Sequence, residues 1–291
     1  MRRPLSALSD AGSKEGIPLN IAFATCVQLG KSCIEEILRL DGRLDLLITL
    51  KDDCARGKSG RIYLDDIARD RGIPLLKIDN INEPAVLDAV AAYGIDWLFI
   101  IGWSQIAGAA LLSAPKCGCI GMHPTLLPQG RGRAAVPWAI LKGLTRTGVT
   151  MFKLDEGVDT GDIIGQEVIE LSEDITATEL YKQVDQAHIA LIGRFWNDIV
   201  SGTVRLKPQN GAGATIWPGR RPEDGEITSS MTMLEASRLV RAVTHPYPGA
   251  FFREADQVLR IWSAATSKDG GAIPLRDGFL VPVEFEWESG G

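Results

Sequence analysis

Two side chains in this sequence are well suited to moving a proton between reacting groups, His123 and Asp159. His123 lies in Gly121-Met-His-Pro-Thr-Leu-Leu-Pro128, where a short apolar run ends and a proline-flanked loop begins. Imidazole exchanges protons near neutral pH, which suits it to acid–base work. On its own it also reads as an ordinary strand-end histidine. The other two histidines, His188 inside a helical pattern and His245 in a Thr-His-Pro turn, read as structural. Asp159 lies in Asp155-Glu-Gly-Val-Asp-Thr-Gly-Asp162, with four acids in eight residues. Such a run is often a solvated loop, yet its two glycines let the backbone fold tightly and approach a ligand. Arg131 and Arg133 flank Gly132 and could hold an anion or simply face water.

The elements that must position these residues follow from periodicity. Leu19 to Val27, Leu44 to Leu50, Pro74 to Ile78, Ile95 to Gly102 and Cys119 to His123 read as strands. Helical patterns separate them at Gly30 to Leu40, Gly60 to Arg71 and Pro84 to Tyr93, with one more helix before Cys119. The Ile95 run is continuously apolar, as in a strand buried on both faces. This βα alternation predicts an α/β fold, a Rossmann-like, mostly parallel sheet with helices on both faces. After the loop 129–133, Ala134 to Lys142 reads as a helix with Pro137 near its start. Gly148 to Leu154 and Ile163 to Leu171 read as strands flanking the acidic loop. Thr176 to Ser201 forms a long amphipathic helix.

The region 203–218, rich in Gly, Pro and Asn, reads as a linker. Beyond it, the helix Met233 to Val243 and short strands such as Val258 to Ala264 and Phe279 to Val283 predict a small C-terminal β-rich domain. The expected organisation is a disordered lead at 1–17, a catalytic domain at 18–205 and the small domain at 206–291. A parallel sheet binds ligands at its C-terminal strand ends, which selects the loops after residues 102 and 123. Neither GxGxxG after the first strand nor GxxxxGK[ST] is present, so neither familiar phosphate grip applies.

Composition narrows the function class. With 45% apolar and 23% charged residues the chain reads as an ordinary globular protein. No run of 18 apolar residues predicts a membrane span, and the polar start lacks a signal-peptide core, so a cytoplasmic protein is expected. The five cysteines, Cys26, Cys33, Cys54, Cys117 and Cys119, lack CxxC spacing and read as reduced thiols, with no metal site. Net charge is −6, and from residue 210 onward eight basic residues face eleven acidic ones. That balance argues against nucleic-acid binding, which draws its affinity from a basic face.

Three segments taken together resemble a known family. Gly121-Met-His-Pro-Thr-Leu-Leu-Pro-Gln-Gly-Arg-Gly-Arg133, Thr147-Gly-Val-Thr150 and Gly157-Val-Asp-Thr-Gly161 are similar in order and spacing to the core of 10-formyltetrahydrofolate-dependent formyltransferases. The segments Arg220-Arg-Pro-Glu-Asp-Gly225 and Leu239-Val-Arg-Ala-Val-Thr-His-Pro-Tyr-Pro-Gly-Ala-Phe251 resemble the second domain of amino-sugar members. In the family that domain is an OB-like barrel, here shortened.

The resemblance implies His123 and Asp159 as the catalytic pair. It implies contacts to 10-formyltetrahydrofolate, the formyl donor, from Ser104, Gln105, Ile106 and Arg133 and from Asp155, Glu156, Gly157 and Val158. The acceptor it favours is a small-molecule amine, a nucleotide-linked amino sugar, with an N-hydroxyornithine-type amine, methionyl-tRNA or a non-catalytic folate- or sugar-binding role as alternatives. It also implies a homodimer. The family motif carries an Asn two residues before the histidine, where this chain has Gly121. The expectation there is a wider pocket in which a neighbouring polar group replaces the amide.

Overall fold

The computed structural model describes residues 19–53 and 60–289. The expected lead at 1–17 and Cys54 lie outside the described residues. The strands are β1 (Ile21–Ala24), β2 (Leu46–Leu50), β3 (Leu75–Ile78), β4 (Trp97–Ile100), β5 (Gly118–His123), β6 (Arg131–Gly132), β7 (Arg146–Lys153), β8 (Ile163–Glu170), β9 (Ile216–Trp217), β10 (Ala250–Glu254), β11 (Gln257–Ser267), β12 (Ile273–Leu275) and β13 (Gly278–Ser289). The helices are α1 (Gln28–Arg39), α2 (Asp65–Arg71), α3 (Pro84–Ala92), α4 (Ala109–Ser113), α5 (Ala135–Leu141), α6 (Ala177–Val200) and α7 (Met233–Val243).

Seven strands form the main sheet in the order β3-β2-β1-β4-β5-β7-β8. The first five are parallel, and β7 and β8 continue the sheet antiparallel. Every residue of β1, β2 and β4 is buried, as their uninterrupted apolar runs require of strands covered on both faces. The chain order reverses between β1 and β4, so the crevice beyond their C-terminal ends is where this architecture takes ligands. The expected helix at 60–71 begins later, at Asp65. Arg61 bridges Val27 through its backbone and sends its guanidinium to Thr49 Oγ1 and the Leu50 carbonyl, which holds this stretch extended against the sheet.

The long helix α6 starts with a reciprocal cap: Thr176 Oγ1 accepts the Glu179 N–H, and Glu179 Oε2 accepts the Thr176 N–H. Its buried face, including Leu180, Val184, Leu191 and Trp196, covers the sheet and packs on α1. The C-terminal part is a four-stranded antiparallel sheet, β10-β11-β13-β12, with β10 and β12 at its edges. Helix α7 rests between that sheet and α5, so one apolar core runs through both parts. Both long strands extend past the expected limits. The second half of β13 alternates acidic and apolar residues with both faces exposed over residues 283–287, a pattern that hides a strand from a search for apolar runs. Among the described residues no helix is long and apolar enough to cross a membrane.

Candidate active site

β5 delivers His123 to the C-terminal edge of the sheet, one strand beyond the reversal point. The residue is only 8% exposed. Its Nε2 lies 2.8 Å from the Gly130 carbonyl. A carbonyl only accepts, so Nε2 carries the hydrogen. Nδ1 is left facing Asp159 Oδ2 at 3.6 Å. Nδ1 is therefore the ring atom able to exchange a proton with the carboxylate or with a ligand beside it.

Asp159 is fixed from three directions. Its backbone adopts the left-handed region at φ 52°, which orients the carboxylate at some conformational cost. Oδ2 accepts the Gly132 N–H at 2.8 Å. The carbonyls of Asp159 and Gly161 both accept from Gln209 Nε2, at 2.9 and 2.7 Å, while Gln209 Oε1 accepts from Arg131. Gly132 has φ +105°, and a Cβ there would lie 2.4 Å from the Trp217 carbonyl. No other residue fits between Asp159 and β9.

Thr150 and Gln166 shape the loop after His123. Thr150 Oγ1 donates to the Thr125 carbonyl and accepts from the Leu127 N–H and from Gln166 Nε2, which also reaches the Leu127 carbonyl. The segment expected as a plain linker completes the site. Thr215 Oγ1 accepts the Gly130 N–H, the Thr215 carbonyl accepts the Arg131 N–H, and β9 pairs with β6 in parallel. Gln209, Thr215 and Gln166 escaped the sequence reading. Each acts through partners 16 to 85 positions away, and only a polar residue amid a Gly/Pro-rich stretch hints at Gln209.

The other expected contacts divide into two groups. Ile106 and Val158 present apolar side chains to solvent, 79% and 53% exposed. Gln105 is committed elsewhere: its Oε1 accepts from Ile81 N and Trp103 Nε1, and its Nε2 donates to the Asp79 carbonyl, stapling the loop after β4 to the one after β3. Ser104 is exposed on that loop. Asp155 Oδ1 accepts from Gly157 N and Thr160 Oγ1 and so shapes its own loop, on which Glu156 is exposed. Arg133 does not join the Asp159 cluster through its side chain, which lies against Gly219.

The expected widening at Gly121 is not what the structure has. Residues 121 and 123 share a strand face, and a Cβ on Gly121 would lie 2.6 Å from Leu154 Cδ2. Leu154 fills the volume left by the absent amide, because a buried void beside a strand would forfeit packing on every side.

His188, buried behind the site on α6, gives its Nδ1–H to the Val184 carbonyl. Burial pushes its pKa from 6.5 down to about 4, opposed by the Val184 carbonyl and reinforced by the charge of His123. The unfolded chain therefore binds the extra proton first. Stability is full above pH 6.5 and falls as pH drops towards 4, by about 3 kcal/mol. His188→Leu is expected to flatten this part of the pH dependence of the urea midpoint. An unchanged acid slope would show that other groups cause it. Burial likewise pushes the Cys119 thiol up to about 12 and raises the Cys117 thiol.

A histidine–carboxylate pair at the C-terminal edge of a doubly wound sheet, beside the strand-order reversal, marks a Rossmann-like enzyme. Comparison with known proteins gives the family. A model described as formyl transferase matches residues 39–194, and one for the formyl transferase C-terminal domain matches residues 220–279. A methionyl-tRNA formyltransferase from Agathobacter rectalis is 29% identical over 248 residues, covering 84% of this chain and 80% of the relative. Among solved structures, an N-formyltransferase from Helicobacter canadensis in complex with folinic acid and dTDP-3-aminofucose superposes with a TM-score of 0.70 at 19% identity, covering 92% of this chain and all of that one. HypX from Aquifex aeolicus in complex with tetrahydrofolic acid superposes with a TM-score of 0.68 at 15% identity, covering 92% of this chain and 44% of that one. The chain belongs to the formyl transferase family; it is an enzyme that transfers a one-carbon formyl group.

Proposed function

We propose that the protein moves the formyl group of 10-formyltetrahydrofolate to the amine of a nucleotide-linked amino sugar, with His123 and Asp159 as the catalytic pair. The observation that carries this reading is the Asp159 carboxylate held by the Gly132 N–H against His123 Nδ1. The acceptor amine attacks the formyl carbon and forms the new C–N bond. The carbonyl oxygen takes negative charge in the tetrahedral intermediate. Asp159 takes the proton leaving the amine, and protonated His123 Nδ1 donates to the oxyanion. Collapse breaks the bond to the folate nitrogen, which recovers a proton through the same pair. Ile106 and Val158 offer the apolar surface for the folate ring, and the loops bearing Ser104, Gln105 and Asp155 to Gly157 frame it. Leu154 in place of an amide removes one possible oxyanion donor, and a single donor of that kind is worth about 10²–10³ in rate.

The folate-bound relatives support the donor, and the dTDP-aminosugar complex supports the acceptor class. The methionyl-tRNA relative favours a second reading, against which the acidic C-terminal part counts. The test is mass spectrometry of the product after incubation with 10-formyltetrahydrofolate and either a panel of nucleotide-linked amino sugars or methionyl-tRNA. A product 28 mass units heavier, one formyl in place of one hydrogen, is expected on a sugar; formylation of the tRNA alone would overturn the acceptor. On one stretch of β13, Val283, Phe285 and Trp287 stand exposed at alternate positions, which supports a homodimer through this sheet. Phe285→Glu is then expected to halve the mass in solution by light scattering, and a wild-type chain that is already monomeric would end that idea.

A further inference from the structure

The catalytic part and the C-terminal part enclose a crevice of about 300 Å³ lined on one side by Arg133, Arg220 and Arg221 and on the other by Val243, Tyr247 and Pro248. No aspartate or glutamate lines it. Among the described residues none of the three guanidinium groups forms an ion pair with a carboxylate. Arg220 is half-buried, lies over the Trp138 ring at 5.2 Å and spends one N–H on the Asp224 carbonyl. The Asp224 carboxylate is turned to the Arg221 backbone N–H. Lys142 adds a fourth cation behind the arginines, over the rings of Trp138 and Trp217.

In a chain of net charge −6, gathering cations in one crevice where only the Asp224 charge acts on Arg220 costs Coulomb repulsion, and a bound anion relieves it. Guanidinium groups grip phosphate oxygens in bidentate fashion. The crevice also adjoins the chemistry. Arg133 directly follows Gly132, whose N–H holds Asp159, so the arginine wall starts about 3.8 Å along the backbone from that contact.

Resting on the formyl-transfer reading, we propose that this arginine-lined crevice binds the diphosphate of the acceptor and so delivers the amine to Asp159 and His123. The apolar wall of Val243, Tyr247 and Pro248 then faces the uncharged part of the acceptor.

The test titrates inorganic pyrophosphate into the full chain, read by calorimetry and by tryptophan fluorescence, since Trp138 and Trp217 flank the arginines. Binding that weakens with added salt is expected. Arg221→Gln, an exposed change, should weaken it about 10- to 100-fold, as should Arg133→Gln, with tetrahydrofolate affinity unchanged in the Arg221 variant. Tetrahydrofolate binding without any pyrophosphate binding would overturn the proposal and leave formyl transfer standing. Displacement of pyrophosphate by tetrahydrofolate would also overturn it, by assigning the arginines to the carboxylates of the folate tail. Loss of both ligands would take the formyl-transfer reading down as well.

Discussion

Asp159→Asn is expected to lower formyl transfer by about 10²–10⁴-fold with little change in stability. The amide keeps the size of the carboxylate, and its oxygen still accepts the Gly132 N–H. What it loses is the charge and the ability to take the amine's proton, the contribution a positioned base makes. His123→Ala is expected to lose turnover to a similar degree for a different reason. The imidazole is buried and donates Nε2–H to the Gly130 carbonyl, so truncation also leaves a buried acceptor unpaired and costs about 1–3 kcal/mol. Single-turnover assays with the formyl donor in excess, alongside urea melts, separate chemistry from folding. Wild-type turnover in Asp159→Asn would remove the pair from the mechanism.

Gln209→Ala should lower kcat by about 10- to 100-fold, roughly 1.4–2.7 kcal/mol of barrier, while the KM for the folate changes little. Gln209 touches neither His123 nor the carboxylate of Asp159. It holds the carbonyls of Asp159 and Gly161 from one amide nitrogen and Arg131 from the amide oxygen. It is thus a positioning residue that keeps Asp159 in its left-handed conformation. Gln209→Glu sharpens the point. A carboxylate still accepts from Arg131 but has no N–H for the two carbonyls and repels them, so this variant should be as impaired as the alanine. A fall in kcat and a displaced pH–rate profile are the readouts. Normal kcat in a destabilised protein would reduce Gln209 to a structural strut.

An amide in place of Gly121 would add a donor to the oxyanion, and Leu154 stands in its volume instead. In the proposed mechanism the oxyanion donor is then His123 Nδ1, so the proposed chemistry rests on the histidine.

Much of this molecule was legible in residue order. Continuous apolar runs mark β1, β2 and β4 as strands buried on both faces, and the 3.6 period of Thr176 to Ser201 marks α6 within a residue at each end. Both signals are local, because burial imposes its period on each element separately. The glycines around Asp159 and the proline after His123 likewise announce tight loops, and their order along the chain matched the formyltransferase pattern.

The direction of β7 was not legible: α5 precedes it, as in a parallel βα unit, yet β7 pairs antiparallel with β5; β8 then runs antiparallel to β7, as the short connection between them requires. Nor was the third side of the site. Sequence placed His123 and Asp159 as candidates 36 positions apart, but only folding set Nδ1 against the carboxylate and brought Gly130, Gly132, Gln209 and Thr215 around them. Those contacts are hydrogen bonds between distant segments. They leave no periodicity in the sequence and take their direction from where the two parts of the chain dock.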